Sequence, residues 1–271
     1  MQSLQFTAQN LTSQASPNGV LERDFTVGEV PGVLWSRPSG PHGAPLVLMG
    51  HGGGLHKKTP ALAARAHHYV SAYGFTVVAI DAPGHGARPR TERDEQTRHD
   101  LRQAVAAGDN ERFASISIGY GAWLADRAVP EWQATLDALQ GLPEVGTDAP
   151  IGYGGGISLG TAIGIPLTAV EPRIRAAVFG GGFFVTESQL EAAKRITVPV
   201  QFLLPWDDEH VDRQSALALF DAFASTEKTL HANPGDHRTI QWFGLDEEFL
   251  SRQLAHTRTE PGSRRGSSGV G

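Results

Sequence analysis

Four short runs of consecutive apolar residues punctuate the chain: Pro45–Gly50 (PLVLMG), Phe75–Asp81 (FTVVAID), Ile174–Gly180 (IRAAVFG) and Val198–Leu204 (VPVQFLL). They lack the apolar/polar alternation of a half-exposed strand, and continuous runs of this length suit strands buried on both faces of a parallel sheet. Between them, apolar positions recur at helical spacing over Pro60–Tyr73, Pro130–Leu139, Leu159–Val170 and Asp212–Phe223. Strands alternating with helices predict right-handed crossovers and a doubly wound α/β fold. Upstream, Glu22–Gly28 and Val30–Ser36 flank a glycine-marked turn and predict an antiparallel hairpin. Lys228–Ala232 adds a late strand. Pro150–Gly154 is weak by composition, because glycine offers no side chain to pack, but it leads into the motif below and is taken as a strand.

Counted together, these segments predict a mostly parallel eight-stranded sheet with the hairpin at its N-terminal edge. A helical insertion of about residues 86–148 falls between the fourth and fifth strands, with a charged stretch at Arg88–Arg102, and is expected to cover one edge of the substrate site. One domain is expected over residues 1–256, followed by a Gly-, Ser- and Arg-rich tail at 257–271 with the composition of a disordered segment.

The 271 residues carry a formal net charge of −6, which argues against a surface built for nucleic acid or anionic membranes. The absence of cysteine excludes disulfides, thiol nucleophiles and Cys-ligated zinc. No run is long and apolar enough to span a bilayer, and Met1–Phe6 has neither the basic nor the apolar region of a secretory signal, so a cytoplasmic location is the expectation. No cofactor is expected, and a metal-dependent hydrolase is poorly supported because no HxxEH or HExxH spacing occurs.

Chemistry concentrates in a few glycine-rich places. Gly156-Ile157-Ser158-Leu159-Gly160 fits G-x-S-x-G and sits between a short strand and a helical pattern. A serine on such a turn is exposed and strained, and the helix behind it aims free N–H groups at a developing oxyanion. The competing reading is a glycine-rich turn with a serine N-cap. His51-Gly52-Gly53-Gly54 follows the first parallel strand and leaves backbone N–H groups unshielded. A serine nucleophile needs a base and an orienting acid. Of the histidines after Ser158, His231 falls within a strand, while His210 and His256 lie in the acidic loop and near the frayed end. His237, in Asn233-Pro-Gly-Asp-His, occupies a loop and is the candidate base. In Pro205-Trp-Asp-Asp-Glu-His-Val211 three carboxylates compete; Asp208 is favoured because Val211 can anchor the loop to the core, with Asp207 next.

In this order the landmarks His51-Gly-Gly-Gly, Asp81-Ala-Pro-Gly-His-Gly, Gly156-Ile-Ser-Leu-Gly, Asp208-x-x-Val211 and Gly235-Asp-His237 resemble the α/β-hydrolase superfamily over roughly residues 25–255, and are most similar to its dienelactone-hydrolase and acetyl-xylan-esterase-like branch. The resemblance implies a serine hydrolase acting on esters of small or medium acyl groups, with Ser158, His237 and Asp208 as triad. The N–H of Leu159, with that of Gly53 or Gly54, would form the oxyanion hole. Leu55, Phe183, Phe184 and Trp206, at strand ends, are candidates for an apolar substrate wall. Phe113, Tyr120 and Trp123 would either close over substrate or glue the insertion to the body, and His56, Lys57 and Lys58 would either favour an acidic substrate or form a solvated basic turn. One departure is the run Gly154-Gly155-Gly156, where the branch carries a bulky residue; it would widen the pocket floor or loosen the turn. The expected partner is a small-molecule ester, with no nucleic acid and no membrane, and a homodimer is compatible with the sequence. Thioesterase, peptidase and a non-catalytic ligand-binding hydrolase fold stand as alternatives.

Overall fold

The computed structural model describes residues 3–7, 19–39, 43–208 and 211–255. The tail at 257–271 and His210 and His256 lie outside these. Among the described residues nine strands form one sheet: β1 Leu4–Phe6, β2 Leu21–Val27, β3 Val30–Ser36, β4 Leu46–Met49, β5 Thr76–Ile80, β6 Ile151–Gly154, β7 Ile174–Gly180, β8 Val200–Pro205 and β9 Lys228–Asn233. Across the sheet they run in the order β1-β2-β3-β5-β4-β6-β7-β8-β9. The six strands from β5 to β9 are parallel, and β1, β2 and β3 join antiparallel at one edge. The expected eight strands are thus corrected to nine by β1. Three residues are too few to show a period; β1 is held instead by its pairing with β2 and by Phe6, which meets Phe25 edge-on at 6.5 Å.

The β2–β3 hairpin turns through Gly28-Glu29, with Val27 opposite Val30. Gly28 sits at φ 58°, as the first central residue of a type II′ turn requires. Every residue of β4, β5, β6 and β8 is buried. The alternation is between two cores rather than between core and water: Leu46 and Leu48 point into one cluster, Val47 and Met49 into the other. Helices α1 (Pro60–Tyr73) and α7 (Phe249–Ala255) cover the second face through Leu62, Ala66, Val70, Leu250 and Leu254. Helices α3 (Asn110–Leu139), α4 (Leu159–Val170), α5 (Glu187–Ala193) and α6 (Arg213–Ala222) contribute to the first.

Helices of residues 86–148 lie between β5 and β6 and also form a layer of the fold. Here α2 (Glu92–Ala107) packs on α3, and α3 packs on α4, with Leu124, Ala128, Trp132, Leu136 and Leu139 in the main core. The sequence places a helix start at Pro130, yet α3 runs through it for 30 residues. An internal proline costs about 3 kcal/mol; burial of those side chains and a two-pronged Arg88–Glu131 ion pair beside Pro130, at 2.5 and 2.7 Å, offset it.

The chain adds β5 on one side of β4 and then β6 on the other. At such a reversal the loops leaving the carboxyl ends of the two strands diverge and open a crevice. The loops that leave β4 and β6 here are His51–Gly54 and Gly155–Ser158.

Candidate active site

Between the end of β6 at Gly154 and the start of α4 at Leu159 the chain reverses in four residues. Ser158 takes φ 67° and ψ −126° and is the sole non-glycine residue with positive φ among those described. A conformation of that kind costs on the order of 1–3 kcal/mol and persists only where its surroundings enforce it. An ordinary N-cap serine is extended and accepts a bond from the first turn. Ser158 does neither, because its side chain makes no capping bond. The enforcing contacts are identifiable. Ser158 N–H donates to Gly181 O at 3.0 Å and Gly155 N–H to Val178 O at 2.9 Å. Thr161 Oγ1 donates to Gly156 O at 3.0 Å while accepting from Gly180 N–H at 2.8 Å. Tyr153 Oη donates to Gly160 O at 2.6 Å. A Cβ on Gly160 would lie 2.0 Å from Gly155 O, so only glycine lets the helix come this close to the turn. The run Gly154–Gly156 does not loosen the elbow, since the side chains of Tyr153 and Thr161 occupy the space that a Cβ on Gly155 would take.

The glycine loop after β4 stands over the elbow. A Cβ on Gly53 would lie 4.0 Å from Ser158 Oγ, and Gly53 and Gly54 are exposed. Neither donates its N–H to a protein acceptor among the described residues. Leu159, first residue of α4, has no acceptor one turn back within the helix. Upstream, His51 is buried; its Nδ1 donates to Gly52 O at 2.9 Å and its Nε2 accepts from Ala82 N–H at 3.0 Å. Burial pushes its pKa down to about 4, so the ring is neutral at pH 7, as this bonding requires.

On the acid side, Asp208 Oδ2 accepts from both His237 Nδ1, at 2.6 Å, and His237 N–H, at 3.2 Å. Asp208 is nearly inaccessible and the imidazole is mostly covered. Asp207, its neighbour, is exposed and instead stitches the loop to Gly235, accepting Gly235 N–H at 3.0 Å. Val211 is buried, as the anchoring of this loop requires. Glu209, the third carboxylate, lies outside the described residues. His231 Nε2 meets Asn233 Oδ1 and Phe243 O within β9 and its neighbouring loop, away from Asp208. His237 reaches the elbow across Gly182, whose Cβ would lie 2.6 Å from His237 Cβ and 2.7 Å from Ile157 Cγ2. The side chain of Ser158 makes no hydrogen bond to the His237 ring in this conformation.

The proposed wall residues divide. Leu55 is 48% exposed and Trp206 40%, the latter under the Arg213 guanidinium at 4.3 Å. Phe184 meets Phe113 of α3 edge-on at 6.0 Å, which places the start of α3 at the catalytic edge. Phe183 is partly buried against the main core. Tyr120 and Trp123 are glue: Tyr120 Oη donates to Asp94 Oδ1 at 2.6 Å, and Trp123 lies between Arg93 and Arg127. Lys57 and Lys58 are not a solvated turn. Lys57 Nζ pairs with buried Asp81 at 2.6 Å and Lys58 with Glu22 and Asp24 at 2.8 and 2.7 Å. The sequence held Asp81 only as a landmark and gave Lys57 no partner; the contact joins residues 24 apart, and no local pattern marks it.

No family model matches the chain, and no curated protein matches it. Solved structures do. The PEG-bound structure of a cold-adapted esterase from an Arctic intertidal metagenomic library is 30% identical, over 92% of this chain and 99% of that one, with a TM-score of 0.68. Acetyl xylan esterase 1 from Thermoanaerobacterium is 14% identical over 94% and 87%, with a TM-score of 0.63. Dienelactone hydrolase from Anabaena variabilis is 21% identical over 88% and 98%, with a TM-score of 0.55. The last two share the fold, whereas the first is alike in sequence along nearly its full length. A parallel sheet reversing at β4, a strained serine where β6 turns into α4, and this kinship together show that the chain belongs to the α/β-hydrolase superfamily.

Proposed function

We propose that this chain is a serine carboxylic ester hydrolase acting on small or medium acyl esters, with residues 1–256 working as one catalytic domain. The observation that carries the reading is the backbone of Ser158, held at φ 67° beside Gly53, with His237, bonded to Asp208, meeting the neighbouring Ile157 across Gly182. In the first half-reaction Ser158 Oγ attacks the ester carbonyl and His237 Nε2 takes its proton. Asp208, bonded to Nδ1, fixes the tautomer that leaves Nε2 free to accept and stabilises the imidazolium that forms. Negative charge develops on the carbonyl oxygen, and the N–H groups of Leu159 and of Gly53 or Gly54 are the donors left open for it. His237 then protonates the departing alcohol. In the second half-reaction it deprotonates water, which releases the acid from the acyl-serine. The Ser158–His237 bond closes when substrate fills the crevice, as hydrogen bonds of this kind do. The esterase likeness at 30% identity supports an ester as the substrate.

Steady-state hydrolysis of p-nitrophenyl acetate and butyrate tests the roles. Ser158→Ala and Asp208→Asn are each expected to lower kcat by about 10³-fold or more, and the double variant to lose little beyond the worse single one. Asp207→Asn is expected to stay within about tenfold of wild type, since its bonds go to the loop. Full activity in Ser158→Ala would end the assignment, and equal losses in the two aspartate variants would remove Asp208 from its role.

A further inference from the structure

We propose that Lys57 and Asp81 are positioning residues for the oxyanion loop: a buried ion pair at its exit, together with the His51 anchor at its entrance, sets where the glycine N–H groups point. The inference rests on the ester-hydrolase reading of Ser158. Gly52, Gly53 and Gly54 carry no side chain that could fix a loop, and glycine samples more backbone conformations than any other residue. Within Gly52–His56 the loop makes one backbone bond of its own, Leu55 N–H to Gly52 O at 3.2 Å. Order must therefore come from its two ends, and both ends are tied to the segment that follows β5. At the entrance, His51 Nε2 accepts Ala82 N–H at 3.0 Å. At the exit, Asp81 takes hold of Lys57 twice, accepting the backbone N–H on Oδ1 at 2.9 Å and the ammonium on Oδ2 at 2.6 Å.

Asp81 is itself fixed. It is fully buried, Oδ2 also accepts Ala87 N–H at 3.0 Å, and a Cβ on Gly86 would fall 2.2 Å from its carboxyl carbon. Burial alone would raise its pKa; the Lys57 ammonium and the N–H groups of Lys57 and Ala87 outweigh it and hold the carboxyl below its ordinary value. A charge buried this deeply is costly once its partner is removed, so the pair constrains the loop end in a way that a surface ion pair would not. The next lysine supplies a contrast. Lys58 points the other way, to Glu22 and Asp24 of β2, and all three side chains are about one-third exposed.

The test uses the full chain, with p-nitrophenyl butyrate as substrate and a fluorophosphonate as the tetrahedral probe of Ser158. Lys57→Met is expected to lower kcat by about 10- to 100-fold, with KM within about threefold, because a misplaced donor weakens the transition state rather than substrate binding. Phosphonylation should slow by a similar factor. Lys57→Arg, which restores the charge and the donors, should recover most of the loss, and Lys58→Met should stay within about twofold of wild type. A folded Lys57→Met with wild-type kcat and phosphonylation rate overturns the proposal, as does an equal loss in Lys58→Met. If Lys57→Met does not fold, Lys57→Gln, which keeps a donor and loses the charge, is held to the same thresholds. A wild-type chain that the probe fails to label at Ser158 removes the ester-hydrolase reading itself; a wild type that is labelled and a Lys57 variant that is unaffected remove only the clamp.

Discussion

Single residues in this site are governed by where their hydrogen bonds go. His51 is the clearest case, because both ring nitrogens are used in a neutral tautomer within a buried place. The unfolded chain protonates this histidine near its ordinary 6.5, whereas burial holds the folded one to about 4, against the weaker opposing pull of the Gly52 bond. Stability contributed by the neutral ring is therefore present above about pH 6.5, is lost as pH falls towards 4, and changes no further once both states are protonated. At about 1.36 kcal/mol per unit the loss is on the order of 3 kcal/mol. The charges of His85 and His56 disfavour protonation of the ring and that of Asp81 favours it; His85, whose ring stands 5.5 Å from that of His51, is also pushed down by burial and adds to the same acid limb. Urea unfolding between about pH 4 and 7 should show this limb in wild type and a flatter one in His51→Asn, with the His85 share remaining. An unchanged slope would mean that His51 is not the titrating group.

At the scale of elements, what the sequence made legible was whatever depended on neighbours along the chain. β4, β5, β7 and β8 announce themselves as continuous apolar runs because both faces are covered, and α1 and α4 by their spacing and their glycine or strained caps. β1 is too short to carry a period, and the passage of α3 through Pro130 is decided by the core it packs against. The same tertiary control sets the second half of α3 into the main core, while its start meets Phe184 through Phe113. The tie between α2 and α3 is specific: Asp94 is buried, accepts Tyr120 Oη at 2.6 Å, and also closes the Thr91 capping box of α2. Tyr120→Phe leaves that carboxylate one donor short and should cost about 1–3 kcal/mol in chemical denaturation. A change below about 0.5 kcal/mol would show that the helices do not rely on this bond.

Across the whole molecule, the placing of the candidate site follows from topology. The sheet reverses direction of growth at β4, and the loops that part there set the glycine-rich loop over a strained serine, while β8 and β9 deliver Asp208 and His237 to the same edge. The order of these motifs along the chain was readable, and so was the pairing of Asp208 with His237, because Ser158, Asp208 and His237 each sit in a loop directly after a recognisable strand. The clamp beneath the loop was not, since Lys57 and Asp81 meet only after β5 is laid beside β4. The central claim is that Ser158 is the nucleophile, and mass spectrometry of the chain after reaction with a fluorophosphonate tests it most directly. One phosphonyl adduct per chain, mapped to the peptide bearing Ser158 and lost in Ser158→Ala together with ester turnover, is the predicted result. An adduct mapped to another residue, or ester turnover that survives in Ser158→Ala, would contradict it.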